Sequence, residues 1–369
     1  MRYNNVFGEE ISRLGFGGMR FPCTPDGKID YPQAEAMIDR AMEAGVNYYD
    51  TAYGYHGGES EKFYGHALSK YPRDAYKVAT KMPEWCCKEP ADVRRIFEEQ
   101  CSRVRVDFFD FYLVHNIQDG NWQHILDMEI IPTLLALKEE GRIGHLGFSF
   151  HGSAACLETV LSEWGSAFEF VQLQLNYFDW EYIEAGKLYD IARAHGKAII
   201  VMEPVRGGLL ASLSPDADAV YHRHAPDMSV ASFAIRYVMD LPGVVITLSG
   251  MSNAEQVEDN LKNASCPPMT EADHAAIREA LTVFRENSLI PCTACRYCMP
   301  CTVGIDIPRL FRAENDARLW HPKAEEFAKR YAEITGGNDC ISCGKCVTAC
   351  PQHIDIPTRM YEILQRTKN

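Results

Sequence analysis

From residue 14 onward, short runs of β-branched and aromatic residues alternate with longer stretches whose apolar positions recur every third or fourth residue. The short runs predict strands over 14–19, 46–50, 76–81, 108–115, 143–149, 170–175, 198–202 and 244–248. The longer stretches predict helices over 31–44, 90–104, 127–140, 153–163, 181–195 and 229–239. Several strands are apolar almost throughout, as in a parallel sheet covered on its outer face. Gly45, Gly141 and Gly196 each stand just past a helical stretch and mark its end. Eight strand–helix units in about 265 residues have the count and length of a (β/α)8 barrel, a TIM-type α/β fold. A doubly wound sheet is the alternative, but Gly15, Gly17 and Gly18 lack the spacing of a dinucleotide-binding turn. A hairpin over 3–6 and 11–13 is expected to close the bottom of the barrel. Helices over 253–263 and 270–287 follow the eighth strand, and Ile277, Leu281 and Phe284 share one face of the second. The expected domains are therefore 1–287, the barrel, and 288–369, a smaller unit with the boundary near 288–291.

Composition narrows the class. The 369 residues are 46% hydrophobic, enough for a large core. A net charge of −14 disfavours nucleic acid and anionic membrane surfaces, which reward clustered Lys and Arg. No apolar run approaches a membrane span, and the first residues lack an export pattern. A cytoplasmic protein is expected, and the scattered Cys23, Cys86, Cys87, Cys101, Cys156 and Cys266 suit reducing conditions. Cys86 and Cys87 are adjacent and read as ordinary loop thiols rather than a redox pair.

The other eight cysteines fall in the tail as Cys292, Cys295, Cys298, Cys301, then Cys340, Cys343, Cys346, Cys350. The second run is C-x2-C-x2-C-x3-C-P, the spacing that places three thiolates on one iron–sulfur cube and sends the fourth to its neighbour. Disulfides suit short secreted domains, and zinc sites mostly use separated cysteine pairs. Two [4Fe–4S] clusters are the expected occupants. The tail is duplicated: each copy runs from its last cysteine to Ile-Asp-Ile-Pro, where Asp306 or Asp355 can cap a helix that Pro308 or Pro357 starts. In the first copy only two residues precede the last cysteine, Cys301. The helix-like spacer 309–334 makes the tail similar to the α-helical ferredoxin arrangement.

Barrel chemistry gathers at the carboxyl ends of strands. There the second strand ends at Asp50 before TAYGYHGGESE, the third at Lys81, and the fourth at His115. With Tyr55, these residues resemble the aldo-keto reductase family over residues 1 to about 285. The resemblance implies reduction of a ketone or aldehyde by hydride from NAD(P)H, with Tyr55 as general acid. Lys81 would lower the phenol's pKa, Asp50 would hold Lys81, and His115 would orient the carbonyl. It further implies Ser149 and Gln172 at the carboxamide, and Arg206, Gly207 and Gly208 over the pyrophosphate. Ser249, Gly250, Met251, Gln256 and Asn260 would lie on the adenosine side. Gly17, Gly18 and Met19, at the end of the first strand, are expected to approach the substrate or cofactor closely, which glycine permits. Three positions depart from the family: Phe150 replaces an asparagine, Met202 a stacking tyrosine, and Gln256 an arginine for the 2′-phosphate. A neutral amide offers that phosphate no charged fork. Trp85, Trp122, Tyr53, Phe150 and residues 178–180 lie in strand-end loops and read equally as pocket aromatics or as loop-packing residues.

The expected function is thus a carbonyl reductase carrying a ferredoxin-type domain. Two alternatives stay open: a reductase fed single electrons through the clusters by a ferredoxin or flavoprotein partner, and a non-enzymatic electron carrier with an unused barrel site.

Overall fold

Eight parallel strands close into a barrel in the computed structural model, which describes all residues except Thr293, His321, Pro351 and Asn369 and the side chains of Asn287, Ser288 and Trp320. Pro351, the proline of the second cysteine run, therefore lies outside the described residues. The strands are β3 (Leu14–Gly17), β4 (Tyr48–Asp50), β5 (Lys77–Met82), β6 (Phe109–Ile117), β7 (Ile143–Phe150), β8 (Phe170–Gln174), β9 (Ala198–Met202) and β10 (Val244–Gly250). β10 pairs with both β9 and β3, which completes the ring. All eight lie where the apolar runs predicted them.

The barrel has two apolar layers because its strand residues point alternately inward and outward. The inner layer includes Tyr48, Ala79, Phe111, Phe170, Ile200 and Ile246. The hairpin β1 (Tyr3–Val6) and β2 (Glu9–Ser12) adds Val6 and Ile11 to it, so the strands' amino ends are plugged. The outer layer packs Leu146, Phe148, Val171 and Leu173 against helix residues such as Ile38, Phe97, Leu134 and Leu157.

Several helices differ from the pattern, Trp122–Asp127 and Pro215–His224 among them. The stretch 181–195 splits into Asp179–Tyr182 and Ala185–Ala194, because Glu184 takes a left-handed φ of 57° between them. Gly186 leaves room for Trp180, whose Nε1 would stand 2.7 Å from a Cβ there. A helix at Glu59–Ala67 was not foreseen. Its buried side includes Ser60 and Glu61, which break the apolar period by which helices are recognised.

The described residues form two compact units: Met1–Ala211 with Ser229–His274, and Ser212–Met228 with Ala275–Asn369. In the second, helices Ile307–Trp320, Ala324–Thr335 and Ile356–Arg366 pack around Leu310, Phe311, Phe327, Ile334 and Met360. Buried Glu314 is neutralised by Arg318 at 2.7 Å and Arg366 at 2.5 Å. Asp306 and Asp355 accept from the amides of Arg309 and Thr358, so both Ile-Asp-Ile-Pro repeats do start helices. Among the described residues no helix is long and apolar enough to cross a membrane.

Candidate active site and cysteine clusters

The carboxyl ends of β4 and β5 bring Asp50 beside Lys81 at the rim of the barrel. Lys81 Nζ donates to Asp50 Oδ1 at 2.6 Å and to the Thr51 carbonyl at 2.7 Å. Both side chains are almost completely buried, at 1% exposure for Lys81 and 3% for Asp50. A buried ion pair of this kind is costly to break from one side. Tyr55 opens the turn Tyr55–Gly58, and Lys81 Nζ lies 5.1 Å from its ring centre. His115 in β6 meets the Tyr55 ring at 6.1 Å and 80°, edge to face. The four residues are therefore one constellation.

Its electrostatics follow from burial and charge. Burial raises the Tyr55 phenol above its usual range, with the Lys81 ammonium pulling it down and Asp50 and Glu203 pushing it up. Tyr55 thus keeps its proton at neutral pH. Burial acts to lower the Lys81 pKa, but Asp50 and Tyr55 outweigh it and hold the amine above its ordinary value. For His115, burial and then Lys81 push the pKa down to about 3, so the imidazole is neutral. Its Nδ1 is buried and makes no hydrogen bond among the described residues.

Ser149 and Gln172 stand side by side on β7 and β8. Gln172 Nε2 reaches Asp50 Oδ2 at 3.4 Å, while its buried Oε1 has no partner among the described residues. Ser149 Oγ accepts from the Asn116 amide at 2.7 Å, which leaves its own O–H to donate. One free acceptor beside one free donor complements a primary carboxamide, so these residues fit a nicotinamide. Met202, at the end of β9, is half-buried.

The remaining sequence-derived positions separate into two kinds. Gly207, Gly208 and Gly250 are exposed at the rim, and Met19 is 49% exposed. Ser249, Met251 and Asn260 are buried, and Asn260 Nδ2 donates to Ser249 Oγ at 2.8 Å. Gln256 is exposed near the start of helix Ala254–Ser265, and its Oε1 accepts from the Ser252 amide. Arg206 is buried, donating from Nε to Asp179 Oδ1 at 2.8 Å and stacking on Phe178. The space at Gly18 is taken by Ser60 Oγ and Tyr64, each 2.6 Å from where its Cβ would be.

Most candidate pocket aromatics serve packing. Phe150 is buried in the outer layer, Tyr53 lies under Arg103 with its hydroxyl on Glu99, and Phe178 backs Arg206. Trp85 alone joins the site, 5.1 Å from the His115 ring and half exposed. Cys86 and Cys87 are both unpaired, and burial pushes the Cys87 thiol up to about 12. Two charged rim residues escaped the sequence reading, Arg20 and Glu203. Their only signal was position: Arg20 comes three residues after β3 and Glu203 directly after β9, in GGMR and MEPVRGG.

In the second unit the cysteines surround two hollows. Cys292, Cys295, Cys298 and Cys350 border one; Cys301, Cys340, Cys343 and Cys346 border the other, which Cys298 also touches. The crossing shows in their charges. Burial raises the Cys292 thiol, with Cys295 and Cys350 as its thiol neighbours. Burial likewise raises Cys346, whose thiol neighbours are Cys340, Cys343 and Cys301. The duplication extends to the backbone. Ala294 and Ser342, Arg296 and Gly344, and Gly304 and His353 are matched positions of the two copies, and all six have positive φ. This conformation turns amides toward the sulfurs: Ser342 N donates to Cys340 Sγ, and the Ala294 amide to Cys292. Amide hydrogen bonds to cysteine sulfurs are among the features that set the potential of an iron–sulfur cluster. None of the eight cysteines is disulfide-bonded. Among the described residues no three metal-binding side chains converge on a single-ion site.

Known proteins agree with both halves. The profile of the Aldo/keto reductase family matches residues 13–282. The chain belongs to the aldo/keto reductase family. It is an oxidoreductase, and residues 291–354 match a 4Fe-4S dicluster domain. L-galactose dehydrogenase of Arabidopsis thaliana is 29% identical over 284 residues, covering 69% of this chain and 84% of its own. NADH-specific methylglyoxal reductase of Escherichia coli is 24% identical over 322 residues, covering 73% and 94%. An aldo-keto reductase of Klebsiella pneumoniae solved with NADPH superposes with a TM-score of 0.62 at 20% identity, over 76% of this chain and 96% of that one. That likeness is one of fold.

Proposed function

We propose that this aldo-keto reductase reduces the carbonyl of a small aldehyde or ketone to an alcohol. The observation that carries the reading is the buried Lys81 ammonium, fixed by Asp50 and set beneath the ring of Tyr55 opposite a neutral His115. A nicotinamide dinucleotide, when bound, supplies the hydride. Ser149 and Gln172 would hold its carboxamide. Tyr55 gives its phenolic proton to the carbonyl oxygen, so the substrate gains hydride and proton in balance. Lys81 stabilises the phenolate left behind, and Asp50 keeps the ammonium in place and compensates its charge. Neutral His115 donates a hydrogen bond to the same oxygen and orients it.

The cysteines would bind two [4Fe–4S] clusters crosswise. Cys292, Cys295, Cys298 and Cys350 hold one, and Cys340, Cys343, Cys346 and Cys301 the other. Such clusters supply one-electron transfer or a structural staple.

The test is anaerobic turnover of aldehydes and ketones with NADH or NADPH as the sole donor. Turnover supports the reading; reduction that requires a ferredoxin or flavoprotein donor opposes it. The pH dependence adds a sharper expectation. Because burial drives the His115 pKa from 6.5 to about 3, the residue stays neutral as pH falls through 6.5. The logarithm of kcat/KM in the wild type should therefore show no limb from His115 between about pH 5 and 8. An acid limb near 6.5 that disappears in His115→Gln would contradict this.

A further inference from the structure

The two halves of the duplicated tail are alike in most of what surrounds their cysteines. Exposure does not separate them: Cys295 in one set and Cys343 in the other are exposed, and the remaining six are half-buried. The matched amides of Ala294 and Ser342 serve Cys292 and Cys340 in the same way. The two hollows also adjoin, because Cys298, Ile307 and Ile356 border both.

Two positions break the symmetry, and both face the hollow of Cys301, Cys340, Cys343 and Cys346. Thr302 follows Cys301, where the second copy has Pro351 after Cys350. The Thr302 hydroxyl lies 3.4 Å from Cys343 Sγ. A thiolate only accepts, so toward a cluster ligand the hydroxyl is the donor. Proline offers neither a hydroxyl nor an amide hydrogen. Lys345 stands where the first copy has Tyr297, and it forms no ion pair among the described residues. Arg296, the cation bordering the other hollow, is paired with Asp306 at 3.3 Å. Asp339 precedes Cys340 but accepts from the Tyr331 hydroxyl at 3.2 Å and does not border the hollow.

We infer that Thr302 and Lys345 make the site of Cys301, Cys340, Cys343 and Cys346 the better electron acceptor of the two, so that a single electron given to this unit comes to rest there. The inference rests on the two-cluster reading above. Net charge and hydrogen bonds to the sulfurs set a cluster's potential. An added electron is added negative charge, which a hydroxyl donor and an uncompensated ammonium stabilise. The transfer is balanced within the unit: the cluster held by Cys292 loses one electron, its neighbour gains it, and no bond forms or proton moves.

The experiment is a redox titration of the anaerobically purified full chain, reduced stepwise with dithionite and followed by electron paramagnetic resonance, with iron counted in every sample. Wild type is expected to reduce in two separate one-electron steps. Cys292→Ala should retain the higher step and Cys340→Ala the lower. Thr302→Val and Lys345→Gln should each lower the higher step by about 59 mV, a tenfold shift for one electron, and leave the lower one in place. Thr302→Ser keeps the hydroxyl and should titrate as wild type. Full iron with one shared potential overturns the inference. So does a higher step that survives in Cys340→Ala, or one that stays put in both Thr302→Val and Lys345→Gln. Should a cysteine variant lose both clusters, the Thr302 and Lys345 variants decide alone. Wild type that binds no iron overturns the cluster reading itself, which separates that failure from failure of the inference.

Discussion

Tyr55→Phe is expected to lower kcat by about 10²–10⁴-fold while leaving the fold and dinucleotide affinity intact, the usual loss when a positioned general acid is removed. The change deletes one oxygen. It leaves the aromatic ring against His115 and above Lys81, so the edge-to-face contact survives. It also leaves the Lys81–Asp50 pair untouched. Lys81→Met is a poorer probe, because it strands the Asp50 carboxylate at 3% exposure and threatens the fold itself. Steady-state rates with a saturating dinucleotide, beside thermal melts, read the outcome. A Tyr55→Phe enzyme at wild-type rate would remove Tyr55 from the chemistry.

The second large effect concerns the crossed cysteines. With two cubes, the anaerobically purified protein should carry about eight irons per chain, and Cys301→Ser should lower that to about four. The pairing is then tested by combination. Cys301 and Cys340 border the same hollow, so Cys301→Ser with Cys340→Ser should lose no more iron than either alone. Cys292 borders the other hollow, so Cys301→Ser with Cys292→Ser should lose nearly all. Additive loss in the first pair, or full iron content in Cys301→Ser, would contradict the crossing. Serine can itself ligate iron weakly, so Cys301→Ala repeats the measurement.

The barrel was legible in the sequence because its strands are apolar on both faces, and such runs stand out whatever their partners. The four candidate catalytic residues were legible for a different reason. Asp50, Lys81 and His115 lie at or next to strand ends and Tyr55 opens the turn after β4, and the fold turns those positions into proximity. What sequence hid was direction. Phe150 and Tyr53 sit beside the site in the chain, yet the alternation of strand and loop sends them outward, to the helix layer and to Arg103. Helix Glu59–Ala67 was hidden by its buried acid. Glu61 is held by Thr80 and Gln100 at 2.7 Å and by Arg103 at 3.1 Å, contacts that join distant segments. Arg20 and Glu203 were missed because a lone charge after a strand has no period and no motif. Only Gly250 and Gly207, packed against them, give them away.

In the cysteine unit, spacing alone suggested that the fourth thiolate crosses to the other cube. It left Cys301 in an irregular copy, one residue short. The matched positive φ at Gly304 and His353 shows that the two copies regain step just after that deletion.

The central claim is direct hydride transfer at the barrel rim, and isotope transfer tests it most directly. The protein would be given NADPH or NADH deuterated at the nicotinamide C4 position, without any partner protein, and the alcohol product examined by mass spectrometry. The account predicts deuterium on the carbinol carbon of the product. Alcohol formed without deuterium at that carbon, from either face of the labelled cofactor, would mean that the electrons arrive by another path and would contradict it.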